Sequence, residues 1–432
     1  MSDQPRTAGS AASRRDFLKT GTAAVLGGAL AAQQNVSFGA FAAGSDVLKI
    51  GLVGCGGRGG GAAVNALEAD PNVKLIGVAD LFPDRLESCV KNLQASQYKD
   101  RVDLPKERQF TGWDAYKKLL ETDIDIVILA TPITFRPEHI KAAIAAGKHV
   151  FAEKPVAVDA PGVHSVMATC VEAAKKNLAV VSGLCWRYDH GMRATFQQVH
   201  EGGVGDIVAI QATYNTGTLK QIPRQPGWSD MEWQLRNWQH FTWTSGDFNV
   251  EQHIHSLDKV AWAMKDETPI RATGTGGRQA RQGAESGHVY DHFNVVYEYA
   301  NGVKAFANCR QMDGCSNDVT DYVFGTKGTC DVFKHRIKGE KDWKFTGSKG
   351  QMYVTEHMEM IQSIRNGKPI NNGDYMCKST MMAIMGRMSA YTGQTLTWEQ
   401  AFNSKENLTP VTMEFGPLAM PPVAVPGVTA FV

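Results

Sequence analysis

A run of glycines between a predicted strand and a predicted helix constrains this chain more than any other feature. The strand spans 47–53, the run reads Gly54-Cys55-Gly56-Gly57-Arg58-Gly59, and helical character follows over 62–69. In such a turn the first glycine allows a sharp bend, and the second lets the backbone approach a diphosphate. The last glycine lets the helix pack closely on the strand, and the helix N-terminus attracts the anion. The run therefore predicts a dinucleotide site.

An acidic residue at the end of the next predicted strand supports this prediction. The strand spans 73–79, and Asp80 follows it 21 residues after Gly59. A carboxylate at this place can accept hydrogen bonds from the adenosine ribose hydroxyls. Because it also repels a 2′-phosphate, we expect NAD as the cofactor, while Arg85 nearby leaves NADP open.

The order of elements predicts an α/β fold with two domains. Further strands at 124–130, 149–152 and 178–182 alternate with helices at 83–95, 113–120, 137–146 and 158–176. Such alternation indicates a Rossmann domain with a parallel sheet over 46–185. From about Gly205, short strands separated by turns such as Asn301-Gly302 indicate an α+β domain with a largely antiparallel open sheet. We assign 186–400 to this second domain, for substrate binding and oligomerisation, and 401–432 to a C-terminal tail.

Glu153-Lys154-Pro155 directly follows a predicted strand, at the sheet edge where such folds bind ligands. Lys154 can donate hydrogen bonds there to a substrate hydroxyl and to the nicotinamide ribose. A solvated lysine on a surface turn is the alternative interpretation.

A second candidate lies on a segment with helical spacing. Glu251, His255 and Asp258 fall within about 60° of one another on a helix. Apolar residues flank them and predict one amphipathic helix, namely Val250, Ile254, Leu257, Ala261 and Met264. A histidine held there can take a hydroxyl proton as hydride leaves the same carbon. A solvated helix face with a capping histidine explains the spacing equally well.

Trp228, Trp233, Trp238 and Trp243 recur every five residues just before this segment. Five residues is not a helical repeat, and aromatic faces stack on sugar rings. The packing of an irregular insertion is the alternative for each tryptophan.

Charge and cysteines exclude other classes of protein. The net charge of +1 gives no basic field for nucleic acid. The eight cysteines include no C-x-x-C pair, so we expect neither a metal site nor a disulfide framework. Cys309 and Cys315 could pair in an oxidising compartment.

The first 43 residues have the pattern of a twin-arginine export signal. Ser13-Arg14-Arg15-Asp16-Phe17-Leu18-Lys19 precedes a short apolar run through Ala32, and Ala40 and Ala42 offer a cleavage site. The run is too short for a stable membrane span. We therefore expect the twin-arginine machinery as a partner, no membrane span in the mature chain, and a periplasmic or secreted protein.

These motifs together resemble the glucose-fructose oxidoreductase/inositol dehydrogenase/rhizopine catabolism (Gfo/Idh/MocA) family of oxidoreductases, over about 47–400. The resemblance rests on the glycine run, Thr131-Pro132 with His139, Glu153-Lys154-Pro155, and His255 with Asp258. It implies that Lys154 positions substrate and cofactor and that His255 transfers a proton. Many relatives carry Asp where this chain has Glu251. With this family in view, we also expect four residues to contact the cofactor, namely Thr131, Pro132, His139 and Glu153. We expect four others to contact the substrate, namely Arg187, Tyr188, Trp238 and Asp258.

Export limits the reaction, because no free NAD pool is expected outside the cytoplasm. The first hypothesis is an oxidoreductase that acts on a sugar or polyol hydroxyl with tightly bound NAD(P). The second is an NAD-dependent glycoside hydrolase or lyase that oxidises the sugar transiently. A non-catalytic sugar sensor is a third hypothesis, but loss of Lys154 or His255 would be its signature, and both are present. We expect a homo-oligomer.

Overall fold

The computed structural model describes residues 46–432. The predicted twin-arginine signal and its cleavage site lie outside the described residues. None of the helices within 46–432 combines the length and the apolar character that a membrane crossing requires.

The N-terminal part forms a six-stranded parallel sheet in the order β3-β2-β1-β4-β5-β6. Its strands are β1 (Leu48–Val53), β2 (Val73–Asp80), β3 (Gln109–Thr111), β4 (Ile126–Leu129), β5 (His149–Ala152) and β6 (Val180–Ser182). The helices of this region are α1 (Gly57–Ala69), α2 (Pro83–Gln94), α3 (Ala115–Leu120), α4 (Arg136–Ala145) and α5 (Ala160–Lys175). Every residue of β2 except Lys74 is buried, as expected for a sheet covered on both faces. The Rossmann architecture predicted from the sequence is confirmed.

The second region is built on a nine-stranded sheet in the order β14-β13-β12-β11-β7-β10-β9-β8-β15. Its strands are β7 (Ile207–Thr216), β8 (Arg271–Gly277), β9 (His292–Glu298), β10 (Lys304–Gln311), β11 (Asp318–Gly325), β12 (Gly328–Asp331), β13 (Arg336–Gly339), β14 (Trp343–Lys344) and β15 (Leu396–Thr397). Only the β7–β10 pair is parallel. Asn301-Gly302 joins β9 to β10 in an antiparallel hairpin, with Gly302 at φ 87°. The prediction of a largely antiparallel sheet is therefore confirmed.

Helices from the second region complete both cores. They are α6 (His190–His200), α7 (Asp230–Arg236), α8 (Thr242–Ser245), α9 (Phe248–Glu251), α10 (Ile254–Ala263), α11 (Met352–Arg365), α12 (Gly373–Thr392) and α13 (Trp398–Phe402). Helix α12 is buried along nearly its whole length and packs on β8, α5 and α10. Helix α11 packs on α1, and Asn371 bridges to Val180 beside β6. Late parts of the chain thus return to cover the parallel sheet.

The structure corrects the single helix predicted around His255. Glu251 ends the short helix α9, and His255 lies on the separate helix α10. The backbone turns between them, where the amide of His253 donates to the carbonyl of Phe248, five residues earlier. Buried polar contacts accompany the turn: Asn249 donates to the carbonyl of Ala383 and contacts Nδ1 of His253.

The pairing of Cys309 with Cys315 is not formed. Both thiols are free; Cys309 is buried in β10 beside Asn249, and Cys315 is exposed in the following turn.

Candidate active site

One cleft runs along the carboxyl edge of the parallel sheet and is closed on its other side by the second region. The Rossmann side contributes Gly54, Gly56, Gly57, Arg58, Gly59, Asp80, Phe82, Arg85, Trp113, Thr131, Pro132, His139, Glu153 and Lys154, among others. The opposite side contributes Leu235, Trp238, Gln239 and Glu251. All of the predicted cofactor residues therefore line the cleft.

The glycine turn has the shape that a bound dinucleotide needs. A Cβ on Gly59 would lie 1.8 Å from the carbonyl oxygen of Gly54, so only glycine allows this close packing. Gly54 itself has φ 98°. By contrast, a Cβ on Gly56 or Gly57 would meet nothing within 4 Å, so these two backbones face open space. The first turn of α1 carries no acidic residue and no side-chain cap, which leaves its amides available to a diphosphate.

Asp80 ends β2 and lies against the same turn. Its Oδ2 accepts from the amide of Cys55 at 2.6 Å, and its Oδ1 accepts from the amide of Phe82 at 2.8 Å. Burial raises the pKa of this carboxyl, and the two amides partly offset the rise. The carboxylate thus holds the turn in place and still lines the cleft, where a ribose hydroxyl can approach.

Lys154 and Glu251 meet across the cleft. The Nζ of Lys154 lies 2.5 Å from the backbone oxygen of Glu251 and 3.2 Å from its Oε1. Both side chains are mostly buried, at 14% and 13% exposure. The structure thus places the ammonium group of Lys154, just after β5, beside the carboxylate of Glu251.

His255 follows on the first turn of α10 and is half-buried. Burial, then the positive charges of Lys154 and Lys259, lowers the pKa of His255 well below its usual value. Its Nδ1 has no hydrogen-bond partner among the described residues. The imidazole is therefore neutral at neutral pH. His255 lies near enough to Lys154 for that charge to act on it, but it is not among the residues that line the cleft.

Arg58 links the glycine turn to two carboxylates. Its guanidinium pairs with Glu153 and lies 3.1 Å from Oε1 of Glu356 on α11. Glu356 is fully buried, and burial together with the charge of Glu153 raises the pKa of its carboxyl well above the usual value. Arg58 and Glu153 thus brace one another at the cleft wall.

Thr131, Pro132 and His139 line the cleft after β4. The Thr131 hydroxyl lies 3.5 Å from Nδ1 of His139, whose ring packs 4.1 Å from Tyr116 and 5.7 Å from Phe135, centroid to centroid. Burial and the charge of Arg136 lower the pKa of His139 to about 3. His139 is therefore a neutral aromatic wall.

Three of the predicted substrate residues lie elsewhere. Arg187 makes a buried ion pair with Asp258, with nitrogen–oxygen distances of 2.9 to 3.1 Å, and a second pair with Asp266. The hydroxyl of Tyr188 donates to Asn372 in the interior. None of the three lines the cleft. The geometry supports a structural role for these three residues, because the polar atoms of each side chain are paired with other protein groups away from the cleft.

Trp238 alone among the four regularly spaced tryptophans lines the cleft. Trp233 and Trp243 are buried in the insertion, where their indoles donate to the carbonyl of Ile222 and to Gln234. Trp228 packs beside Arg236. For these three residues the packing interpretation is correct.

Several cleft residues escaped the sequence analysis, notably the aromatic residues Phe82, Trp113 and Phe135 and the insertion residues Leu235 and Gln239. Phe82 stands two residues after Asp80, so its place at the strand end was a usable signal. No local pattern marks the others. Among the described residues, no group of three or more His, Cys, Asp or Glu side chains is arranged to hold a metal ion.

Comparisons with known proteins match both regions of the chain. Residues 48–182 match the family model described as "Oxidoreductase family, NAD-binding Rossmann fold". Residues 192–331 match the "GFO/IDH/MocA C-terminal domain". The fold and the family matches define an NAD-binding Rossmann domain followed by a C-terminal region with a mostly antiparallel sheet. Because the two matched segments together exceed half of the chain, the chain belongs to the Gfo/Idh/MocA family.

Individual relatives share less than a third of their aligned residues with this chain. Inositol 2-dehydrogenase of Rhizobium meliloti is 25% identical over 281 residues, which are 65% of this chain and 74% of that protein. A glycosyl hydrolase family 109 protein of Streptomyces coelicolor is 29% identical over 235 residues, 53% of this chain and 46% of that protein. The chain spans only about half of the length of several curated relatives.

A solved scyllo-inositol dehydrogenase of Lactobacillus casei shares the fold. The TM-score is 0.63 at 19% identity, covering 83% of this chain and 100% of that one. At this identity the likeness shows the fold alone.

Proposed function

We propose that this chain oxidises a hydroxyl-bearing carbon of a sugar or polyol with a tightly bound NAD. The contact of Lys154 with Glu251 in the cleft that also holds the glycine turn carries this proposal. NAD, when bound, supplies the hydride acceptor. Lys154 donates a hydrogen bond to the substrate hydroxyl, Glu251 holds the ammonium in place, and neutral His255 accepts the hydroxyl proton. Trp238 offers a flat apolar face to a sugar ring.

A second function is favoured by the relatives named glycosyl hydrolase family 109 protein. In that case the same residues would act on a glycoside, and the chain would end the cycle with its NAD unchanged. Lys154, Glu251 and His255 would again handle the proton of a sugar hydroxyl. Within the described residues, the cleft lining holds only Asp80, Glu153 and Glu251 as carboxylates, and each is engaged as described above.

The proposal extends to location and assembly. The twin-arginine pattern in the first 43 residues supports export to the periplasm or beyond. An exported enzyme of this kind must keep its cofactor, since no external pool would replace it. The nine-stranded sheet offers a broad surface for a second copy of the chain, and we propose a homo-oligomer.

The test begins with the nucleotide released by denaturing the purified protein, identified by mass spectrometry. We expect NAD in near-stoichiometric amount. A panel of sugars and polyols then follows, with the absorbance of reduced nicotinamide as the readout, and chromogenic glycosides in parallel. Reduction of bound NAD supports the oxidoreductase, and release of aglycone without a lasting absorbance change supports the hydrolase. A chain that neither carries nor takes up a pyridine nucleotide would refute both.

A further inference from the structure

We infer that the C-terminal segment, outside both matched family segments, is a part of the cofactor site and locks the adenosine end of the dinucleotide in place. This inference rests on the proposed function, because it presumes NAD in the cleft. After α13 the chain runs back without a helix or strand toward the turn that follows Asp80. We call residues 408–418, together with helix α7, the bracket.

The bracket packs directly on rings that line the adenosine end. The ring of Phe415 lies 5.9 Å from Phe82 in a stacked arrangement and 5.2 Å from Trp113, centroid to centroid. Both rings line the cleft next to Asp80. Leu408, Met413 and Leu418 pack on the same apolar cluster. The adenosine end is therefore walled by residues that the tail holds from behind.

Hydrogen bonds join the two halves of the bracket. The amide of Met231 donates to the carbonyl of Gly416 at 3.2 Å. Gln234 donates to the carbonyl of Leu418 at 2.8 Å, and the amide of Leu418 donates to Asp230 at 3.1 Å. Helix α7 also supplies Leu235 to the cleft. Residues 408–418 and helix α7 thus form one unit beside the cleft.

Arg236 ties this unit to the Rossmann domain. Its guanidinium lies 3.9 Å from the centroid of the Phe82 ring and makes two contacts with Asp84, at 3.0 and 3.1 Å. Arg85 in turn donates to the carbonyl of Arg236 at 3.2 Å. Both Asp84 and Arg85 are on α2, just after the strand that ends at Asp80. To uncover the adenosine end, these contacts and the aromatic stack must separate together.

The bracket explains how a cofactor could remain bound through many reaction cycles. Dissociation needs the concerted opening of the tail and α7, so the exchange of NAD with solvent should be slow. Loosening the bracket should speed the loss of cofactor without changing the residues at the reacting carbon. Most differences in affinity of this kind are expressed in the dissociation rate.

The experiment measures the uptake of isotope-labelled NAD by the full chain purified with its own NAD. We expect the parent chain to exchange over hours. Phe415→Ala removes a 45% exposed ring and should exchange at least about tenfold faster. Val411→Ala, at a fully exposed position of the same tail, is the matched control and should exchange like the parent. Thermal melting checks that each variant is folded.

Arg236→Gln is the second variant and opens the contact with Phe82 and Asp84 without touching the tail. Faster exchange in both variants, with parent-like exchange in Val411→Ala, supports the bracket. Parent-like exchange in both variants overturns the bracket and leaves the proposed function intact. Exchange of the parent within seconds overturns both the bracket and the tight binding of NAD, but not the oxidation of a hydroxyl-bearing carbon. A parent that holds and takes up no NAD refutes the proposed function instead.

Discussion

The Nζ of Lys154 lies 2.5 Å from the backbone oxygen of Glu251 and 3.2 Å from its carboxylate, across 97 residues of sequence. Lys154 stands two residues after the end of β5, and Glu251 ends α9 in the second region. The reacting end of the cleft is therefore assembled from both regions. Neither region alone would hold the ammonium group in this position.

Lys154→Ala should lower kcat by about 100- to 10,000-fold, the range seen when a positioned proton donor or acceptor is lost. NAD should still bind, because the glycine turn and Asp80 are untouched. The measurement is steady-state turnover on the substrate found in the screen, together with nucleotide content. Lys141→Ala, an exposed lysine on α4, is the control. Turnover of Lys154→Ala at the parent rate would remove the catalytic assignment.

Glu251 is expected to act as a positioning residue for Lys154. Glu251→Gln keeps the backbone acceptor but removes the negative charge, so we expect at least about a tenfold loss in kcat and an altered pH profile. Glu251→Asp keeps the charge and should recover most of the rate. The test compares kcat, KM and the pH profile of the two variants. Equal losses in both, with an unchanged pH profile, would point to a purely structural role.

The glycine turn and the helix that follows it offer three substitutions with different outcomes. Gly59→Ala would place a Cβ 1.8 Å from the carbonyl oxygen of Gly54 and should destabilise the fold by several kcal/mol. Gly56→Ala meets no neighbour, so the chain should fold but bind NAD more weakly, since the methyl group faces the cleft. Gly61→Ala, inside α1 with free space, should stabilise by about 0.5–1 kcal/mol. Chemical denaturation and NAD titration distinguish the three variants. Normal NAD affinity in Gly56→Ala would contradict the binding of the diphosphate at this turn.

Sequence reasoning succeeded where the signal is contiguous. The glycine turn, Asp80 and Glu153-Lys154-Pro155 each follow a buried strand within a few residues, so the fold rule alone brings them to one edge. The sequence did not predict backbone breaks that depend on contacts with residues far away in the chain. The break between α9 and α10 accompanies the contact of Asn249 with Ala383, which lies 134 residues later.

The same reason explains the misplaced substrate residues and the missed bracket. Spacing put Asp258 on the face of His255, yet its partners Arg187 and Ser379 come from other elements and draw it into the interior. Phe415 meets Phe82 and Trp113 only because the tail folds back across the molecule. No pattern within the tail indicates that path.

Asp80→Asn should change the preference for the cofactor. The amide keeps an acceptor for one backbone N–H but loses the charge that favours ribose hydroxyls over a 2′-phosphate. We expect NAD affinity to fall by about tenfold or more, and the ratio of NAD to NADP affinity to fall with it. Calorimetric titration of nucleotide-free protein measures both. Asp103→Asn, at an exposed position between α2 and β3, is the control. An unchanged ratio in Asp80→Asn would show that Asp80 does not determine the choice of cofactor.

Buried neutral histidines should make the fold sensitive to acid, and His357 on α11 offers the cleanest test. Its ring packs 4.1 Å from Phe151, and its Nε2 has no partner among the described residues. Burial, with the charge of Arg58, lowers the pKa of His357 to about 3, against an ordinary value of about 6.5. As the pH falls from about 6.5 toward 3, the unfolded chain therefore takes up a proton at this histidine and the folded chain does not. The free energy of unfolding falls across that window.

His357→Phe removes this proton uptake and keeps a ring of similar shape against Phe151. The slope of the free energy of unfolding against pH, between about pH 6 and 4, should fall by about 1.4 kcal/mol per pH unit. Urea denaturation at a series of pH values measures the slope. Met360→Leu, a buried change on the same helix that titrates no proton, should shift the free energy at every pH and leave the slope unchanged. A parent-like slope in His357→Phe would mean that the folded chain accommodates the charged imidazole, contrary to its burial beside Arg58.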